Sequence, residues 1–339
     1  MLKAPYLIFL GDVADPLDAK TGLGVAHWAQ DRCAGQMRLP HCTIDAGLPD
    51  LDMQGAIRAG VRTVIIGIAA VGGQLQPCWL PALAELASKG IDIASGLHKK
   101  LTDVPELVAA AQSSGARLID VRTPPDDLPC GLGKRRSGKR VITVGTDCAV
   151  GKKYSALALH HELLQQGVDA TFRATGQTGI MIAGNGIPID AVIGDFIAGA
   201  AEVLSPDSDD THWDVIEGQG SLIHPAYAGV TIGLLHGSQP DAVVLCHDAS
   251  RTVVLDAIRE IPIPPLDELV DYALTAARLT NPDCFCAGIS VNTSMLGATK
   301  RDDYLATLRA RYGLPVVDPV ATGMRPIARF MLDQIAAER

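Results

Sequence analysis

The sequence predicts an α/β fold in two domains. Three observations lead there. The chain has 339 residues, more than a single hydrophobic core usually serves. Apolar residues make up 47% but aromatics only 4%, so the core must be built of Ala, Val, Ile and Leu. That composition suits buried parallel strands under Ala-rich helices. Strand and helix signals also alternate along the whole chain, with one interruption near its middle.

In the first part, Tyr6–Leu10 is a short apolar run that ends in Gly11-Asp12. Asp50–Ala59 reads as a helix and Thr63–Ile68 as a β-branched strand. Pro77–Lys89 reads as a helix, Ile91–Ala94 as a strand, Val104–Ser114 as a helix and Leu118–Val121 as a closing strand. Such alternation implies βαβ units and a Rossmann-like domain over residues 1–125. No GxGxxG follows these strands in the required context, so no dinucleotide site is assigned here.

Thr123–Arg140, TPPDDLPCGLGKRRSGKR, is rich in Pro, Gly and charge and lacks hydrophobic period. It marks a domain boundary, with residues 126–139 as linker. Its basic residues Lys134, Arg135, Arg136, Lys139 and Arg140 could approach an anion, but a solvated linker is the expected state for most of them.

Residues 140–339 restart the pattern. Strands are expected at Val141–Val144, Val168–Arg173, Trp213–Glu217, Ala242–Cys246, Phe285–Val291 and Pro315–Val317. Helices are expected at Lys152–Gln165, Ala191–Leu204, Leu266–Leu279, Asp302–Tyr312 and Arg325–Ala337. This is a P-loop NTPase-like domain with a mostly parallel sheet.

The bulk numbers exclude several function classes. A net charge of -9 argues against nucleic-acid binding. No apolar run reaches the ~20 residues of a membrane-spanning helix, and the N-terminal apolar stretch reads as a strand rather than a signal peptide. A cytoplasmic protein with no membrane partner is expected. The eight cysteines are scattered, unlike a disulfide framework, and Cys284-Phe285-Cys286 reads as a buried strand, with metal binding as the lesser alternative.

The sharpest motif is Gly145-Thr146-Asp147-Cys148-Ala149-Val150-Gly151-Lys152-Lys153, followed by Tyr154. It joins the strand RVITV to a helix, the context a P-loop requires. Glycines let successive N–H groups converge on a phosphate, the helix adds its positive end, and Lys152 adds a full charge. Two departures matter. The spacing is GxxxxxGK rather than GxxxxGK[ST], and Lys153 replaces the hydroxyl that normally ligates Mg²⁺. Mg²⁺ and other metals are therefore not expected, and phosphate holding without phosphoryl transfer is.

Further candidates end the neighbouring strands. Arg173, Thr175, Gln177 and Thr178 follow the second strand of this domain, on the rim where open α/β sheets bind ligands. Arg173 could clamp a carboxylate or form a structural ion pair. Asp195, Gly199 and Glu202 fall near one face of a single expected helix. Trp213–Glu217 delivers an acid to the rim like a Walker-B strand, making Glu217 the leading candidate general base. Asp195 and His224 are secondary candidates, although a structural histidine is the commoner case. Ser221, His247 and Arg251 are candidate contacts on the same rim, and Val291–Ser294 offers further donors there. No GxSxG or HExxH occurs, and His160-His161 do not share a helix face, so a zinc hydrolase is not expected.

GTDCAVGKK resembles the GTDxxVGKT loop of dethiobiotin synthetase and its P-loop relatives, and Glu217-Gly218-Gln219-Gly220 resembles that group's acidic turn. Lys153 in place of Thr puts ATP-driven ligation in doubt. A fuller resemblance combines that loop with RATGQTGIMIAGNGIPIDAVIGDFIAGAAE and IEGQGSLIHPAYAGVTIGLLHGSQPDAVVLCH. These are similar to the D-glutamate N-acetyltransferase family, a bacterial family with a Rossmann-like domain joined to a P-loop domain. The resemblance implies acetyl-CoA as co-substrate and D-glutamate or a similar amino acid as acceptor, in D-amino-acid catabolism. It also implies an enolase-type N-acetyl-amino-acid racemase as functional partner. A homo-oligomer is the expected assembly. In that chemistry Glu217, Asp195 or His224 would take the ammonium proton, backbone N–H groups around Gly218–Gly220 would serve the oxyanion, and Arg173 or Arg251 would clamp a carboxylate. The alternatives are an ATP- or GTP-dependent ligase or kinase, and a non-catalytic nucleotide-binding module.

Overall fold

The computed structural model describes residues 2–69, 73–255, 257 and 259–337. It divides into two compact units: Met1–Pro124 with Gly176–Pro188, and Pro125–Thr175 with Ile189–Arg339.

In chain order the elements are β1 (Tyr6–Gly11), α1 (Lys20–Trp28), β2 (Cys33–Arg38), α2 (Met53–Arg58), β3 (Thr63–Ile66), α3 (Leu80–Ser88), β4 (Asp92–Ser95), α4 (Pro105–Ser114) and β5 (Leu118–Asp120). There follow β6 (Lys139–Gly145), α5 (Lys152–Gln165), β7 (Ala170–Arg173), α6 (Gln177–Ala183), α7 (Ile197–Leu204), β8 (Trp213–Ile216), α8 (Ala228–Ser238) and β9 (Ala242–Asp248). The chain continues through α9 (Leu266–Ala277), β10 (Phe285–Asn292), α10 (Ala298–Tyr312), β11 (Val316–Val317) and α11 (Arg325–Ala337). Among the described residues no helix is long and apolar enough to cross a membrane.

The first unit is a Rossmann-like α/β layer: five parallel strands in the order β2-β1-β3-β4-β5. Leu7, Phe9, Val64, Ile66 and Ile93 project from its strands into one core with Trp79, Leu83 and Leu86. Local chemistry sets the helix ends. The Asp52 carboxylate caps α2 by accepting the Gly55 N–H at 2.6 Å, and α4 runs from Pro105 at its first position to left-handed Gly115.

Two elements of this unit were not expected. Strand β2, CAGQMR, has no β-branched residue and contains Gly35, Gln36 and Arg38, yet it pairs along β1. Helix α1, KTGLGVAHW, holds two glycines that lower its helix propensity. Gly22 is needed there, because a Cβ would come within 3.1 Å of the Gly67 backbone.

The second unit is a P-loop α/β domain with six parallel strands in the order β11-β10-β9-β6-β8-β7. Strands β6, β8 and β9 are buried almost throughout, as parallel strands covered on both faces must be. All six run the same way, so the carboxyl ends of β6, β7, β8, β9 and β10 bring Gly145, Arg173, Ile216, Asp248 and Asn292 to one edge. In register, Gly145 lies opposite Cys246, and Ile216 lies opposite both Ile142 and Arg173.

The helix expected over Ala191–Leu204 is instead two 3-10 turns, Ile189–Ala191 and Gly194–Phe196, followed by α7. The turns break the face that was to align Asp195 with Glu202. The stretch after β8, expected only as a Gly-rich turn, forms α8. The basic segment before β6 is not simply solvated. A Cβ on Gly199 would lie 1.8 Å from the Pro129 carbonyl oxygen, so α7 and this segment touch through backbone. The Glu202 carboxylate accepts the N–H groups of Leu132 and Gly133 at 2.8–3.1 Å. Arg140, 3% exposed, donates to Ser205 Oγ and to the Ser137 and Pro206 carbonyls.

Candidate functional site

The site forms where β6 ends and α5 begins. Ala149 and Gly151 both take left-handed backbone, with φ of 57° and 100°. Glycine adopts this freely, whereas alanine pays about 1 kcal/mol or more. The two residues curl the loop around Lys152. Lys152 is buried, and its Nζ donates to the Asp147 carbonyl oxygen at 3.0 Å. A Cβ on Gly145 would sit 2.8 Å from that Nζ, so only glycine lets the ammonium occupy the ring of the loop. Burial pushes the Lys152 ammonium pKa below its usual value, while Cys148, Cys246, Asp147 and Glu217 nearby pull the other way. The N–H groups of Ala149, Val150, Gly151 and Lys152 have no hydrogen-bond acceptor among the described residues.

Asp147 braces the loop from beneath. It is fully buried; one carboxylate oxygen accepts the Cys148 N–H at 2.7 Å, and the other accepts Arg251 Nη1 at 2.6 Å and the Leu255 N–H at 2.7 Å. Thr146 Oγ1 lies 3.1 Å from His247 Nδ1, and Ser221 Oγ donates to the Thr146 carbonyl at 3.3 Å. Lys153 follows on α5, with its Nζ 5.0 Å from the Tyr154 ring centre. The next aliphatic hydroxyl, Ser155 Oγ, is turned into the core against the Gly151 carbonyl and Ser290 Oγ. It does not stand in for the metal-ligating hydroxyl that Lys153 displaces.

Glu217 stands directly after β8 and is 3% exposed. Its Oε2 accepts the Thr175 N–H at 2.9 Å, and its main-chain carbonyl accepts Thr175 Oγ1 at 2.6 Å. Glu217 and Lys152 are near enough to interact electrostatically.

Other expected site residues have different work. Arg173, expected to clamp ligand, folds back along the sheet and donates Nε to buried Asp214 at 2.6 Å. Asp214 also accepts Ser205 Oγ at 2.6 Å and lies 3.3 Å from His212 Nε2. Arg251, expected on the substrate, is held by Asp147. His224 is buried with both ring nitrogens engaged. Nε2 lies 2.9 Å from the Leu255 carbonyl oxygen, and Nδ1 accepts the Ala226 N–H at 3.1 Å. That pattern puts the proton on Nε2 and leaves neither nitrogen for proton transfer. Asp195 is exposed in its 3-10 turn. Thr175 and Ser221 are fully buried, holding Glu217 and the loop respectively. Gln177 and Thr178 lie on α6, which groups with the first unit. There Thr178 Oγ1 is 3.3 Å from Thr21 Oγ1. The Gly218 N–H, expected near an oxyanion, donates to Thr143 Oγ1 at 2.9 Å.

One Asp147 oxygen, Cys148 Sγ and one His224 nitrogen lie within 4.8 Å of one another. Asp147 is already committed to Arg251 and two amides, and His224 to two backbone groups. Those donors are not offered to a metal ion. Sequence reasoning missed the Asp147–Arg251 pair and the Thr146–His247 contact. Each joins residues about a hundred positions apart, and nothing in their local patterns announces them.

Fold and loop together define a two-domain α/β protein: a Rossmann-like unit and a P-loop unit whose Gly-rich turn carries Lys153 where a hydroxyl is usual. Residues 129–328 match the family model described as "Domain of unknown function (DUF1611_C) P-loop domain". Residues 31–124 match the companion "DUF1611_N Rossmann-like domain". The chain belongs to the DUF1611 family. It is 48% identical over 337 residues to a protein of Tritonibacter scottomollicae named D-glutamate N-acetyltransferase, covering 99% of this chain and 100% of the relative. A protein of the same name from a Pseudoalteromonas species is 45% identical over 326 residues, covering 96% of this chain and 98% of the relative. The crystal structure of a DUF1611 family protein from Anabaena variabilis superposes with a TM-score of 0.84 at 30% identity, covering 98% of this chain and all of that one.

Proposed function

We propose that this protein is a D-glutamate N-acetyltransferase that takes its acetyl group from acetyl-CoA. The observation that carries this reading is the loop: a buried Lys152 ammonium and four N–H groups without acceptors, at residues 149–152. Coenzyme A presents a pyrophosphate and a 3′-phosphate, and such groups supply the missing acceptors. Lys153 adds positive charge where a metal-dependent enzyme would carry a hydroxyl, so the phosphates are neutralised by ammonium groups. The names of relatives 45–48% identical over nearly the whole chain support the acetyl transfer and the acceptor.

Glu217 is the group proposed to receive the proton. The substrate ammonium must lose one before its nitrogen attacks the thioester carbonyl and the thiol of coenzyme A departs. Its carboxylate is pinned by the Thr175 N–H, so one oxygen is positioned without a long flexible reach. Lys152 and the loop amides bind and orient the donor. Arg251 and Arg173 act through the carboxylates they hold. The amino-acid product is the substrate class of an enolase-type N-acetyl-amino-acid racemase, which fits a cytoplasmic role in D-amino-acid breakdown.

The test is thiol release from acetyl-CoA, followed spectroscopically with a chelator present. Release is expected with D-glutamate and much less without an acceptor. No release across a panel of D- and L-amino acids removes the proposal. Turnover of ATP that requires Mg²⁺ would replace it with the ligase or kinase reading.

A further inference from the structure

The turn that follows β8, residues 217–222, is held at several points. The Gly218 N–H donates to Thr143 Oγ1 at 2.9 Å, the Leu222 N–H to the Gly145 carbonyl at 3.2 Å, and Ser221 Oγ to the Thr146 carbonyl at 3.3 Å. The turn therefore runs beside the first residues of the P-loop. Its glycines are wedged. A Cβ on Gly218 would lie 1.7 Å from the Thr143 carbonyl oxygen, and one on left-handed Gly220 would lie 2.4 Å from the Tyr227 carbonyl oxygen. Between them stands Gln219, whose main-chain carbonyl accepts Thr231 Oγ1 from α8 at 2.7 Å. Its side chain thus starts from a fixed place.

One hydroxyl sets the direction of that side chain. Thr175 Oγ1 has a single proton, which goes to the Glu217 carbonyl oxygen at 2.6 Å. Towards Gln219, 3.2 Å away, the same oxygen can only accept. Of the two amide atoms only the nitrogen donates, so Nε2 faces Thr175 and Oε1 faces away. Among the described residues Oε1 meets no donor, and with Gln219 half-buried it reaches solvent rather than lying sealed in the core. Thr175 thus carries two polar groups at once. Its N–H holds Glu217 Oε2 at 2.9 Å, and its hydroxyl holds the Gln219 amide. A carboxylate and an open neutral acceptor hang from one buried residue.

An amine that attacks a thioester has use for that acceptor. A primary ammonium group has three N–H bonds. Glu217 takes one proton. A second leaves the nitrogen for the departing sulfur as the C–N bond forms and the C–S bond breaks, which yields the free thiol. The third stays behind as the N–H of the amide product. This retained N–H is a donor throughout the reaction, and a neutral partner suits it. A second carboxylate there would hold the nitrogen in its charged form, which cannot attack. We propose that Gln219 Oε1 accepts the retained N–H, orienting the amine for attack and selecting primary over N-alkylated amines. This inference rests on the acetyl-transfer reading and adds a specificity-determining contact to it.

The experiment compares D-glutamate with N-methyl-D-glutamate, whose nitrogen has one proton for Glu217, one for sulfur and none to retain. Thiol release from acetyl-CoA gives kcat/KM for both amines on the full wild-type chain, on Gln219→Leu and on Gln219→Met. The wild type is expected to prefer D-glutamate by at least about tenfold, the effect of one neutral hydrogen bond. Both variants are expected to lose about tenfold on D-glutamate and to change little on the N-methyl amine, bringing the ratio close to one. A role confined to holding Thr175 or Glu217 in place would slow both amines alike and leave the ratio where it was. Coenzyme A should still raise the melting temperature of both variants. An unchanged ratio overturns the proposal, as does failure of both variants to acetylate N-methyl-D-glutamate, or loss of the coenzyme A shift in both. Wild-type thiol release with an unchanged ratio removes this inference alone. No release by the wild type with any amine removes the acetyl-transfer reading and this inference with it.

Discussion

Lys152→Met separates what this lysine does for the fold from what it does for a ligand. In the ligand-free protein the substitution deletes the hydrogen bond from Nζ to the Asp147 carbonyl oxygen, worth about 1.5–3 kcal/mol for a charged donor. It also removes a buried ammonium whose desolvation costs several kcal/mol. Methionine fills nearly the same volume, so the packing loss is small. Stability without ligand should therefore hold or rise by up to about 2 kcal/mol. Coenzyme A, in contrast, loses a charge-assisted contact of about 1.5–3 kcal/mol and should bind about 10- to 150-fold more weakly. The assay is thermal melting with and without coenzyme A. At a ligand concentration near 100 Kd the wild-type chain gains about 2.7 kcal/mol; after a hundredfold loss of affinity the same concentration yields about 0.4 kcal/mol. A variant that melts several degrees lower without ligand, yet keeps the full coenzyme A shift, would refute the reasoning.

Further outcomes follow from the same geometry. Glu217→Gln should lower turnover by about 10²- to 10⁴-fold while leaving coenzyme A affinity within a few-fold; steady-state rates beside calorimetric binding check this, and unchanged turnover removes Glu217 from its role. Arg251→Ala should destabilise the chain by about 3–5 kcal/mol, because Asp147 is left charged and buried. Adding Asp147→Asn should restore part of that in denaturant melts. Gly218→Ala places a Cβ 1.7 Å from the Thr143 carbonyl oxygen, so backbone must move. A loss of at least about 3 kcal/mol is expected, and a melting temperature within a degree of wild type would contradict it. Burial holds His247 below its ordinary pKa of 6.5, Asp248 offsets this in part, and Arg251 adds to the lowering; burial depresses His160 likewise. Below about pH 6.5 the unfolded chain binds protons that the folded chain refuses, so stability should fall as pH drops from 7.5 towards 5. His247→Gln should flatten that slope in melts across the range.

The loop itself was legible because all its parts are contiguous. A strand, a Gly-rich turn, two lysines and a helix lie within 27 residues, Lys139–Gln165, and backbone geometry at that scale is set by local sterics. The alternation of apolar runs likewise revealed two α/β layers, since parallel strands covered on both faces need unbroken apolar sequence. Strand β2 and helix α1 escaped because polar residues and glycines interrupt their apolar positions, and their places come from pairing with β1 and close approach to Gly67. The pattern also suggested one helix over Ala191–Leu204, where two 3-10 turns precede α7.

The charged residues near the rim divide differently. Their types were readable, but a guanidinium beside a strand end can serve a ligand or a buried carboxylate with the same local sequence. Tertiary structure decided that Arg173 meets Asp214, that Arg251 meets Asp147, and that His224 spends both nitrogens on backbone. It also grouped α6, with Gln177 and Thr178, with the first unit. By itself the sequence determined the two α/β layers and the Gly-rich P-loop turn between strand and helix, whose energetics are local. Only the folded chain could assign partners to isolated charges, because a charged group settles with whichever opposite charge shares its low-dielectric surroundings, however far away in sequence.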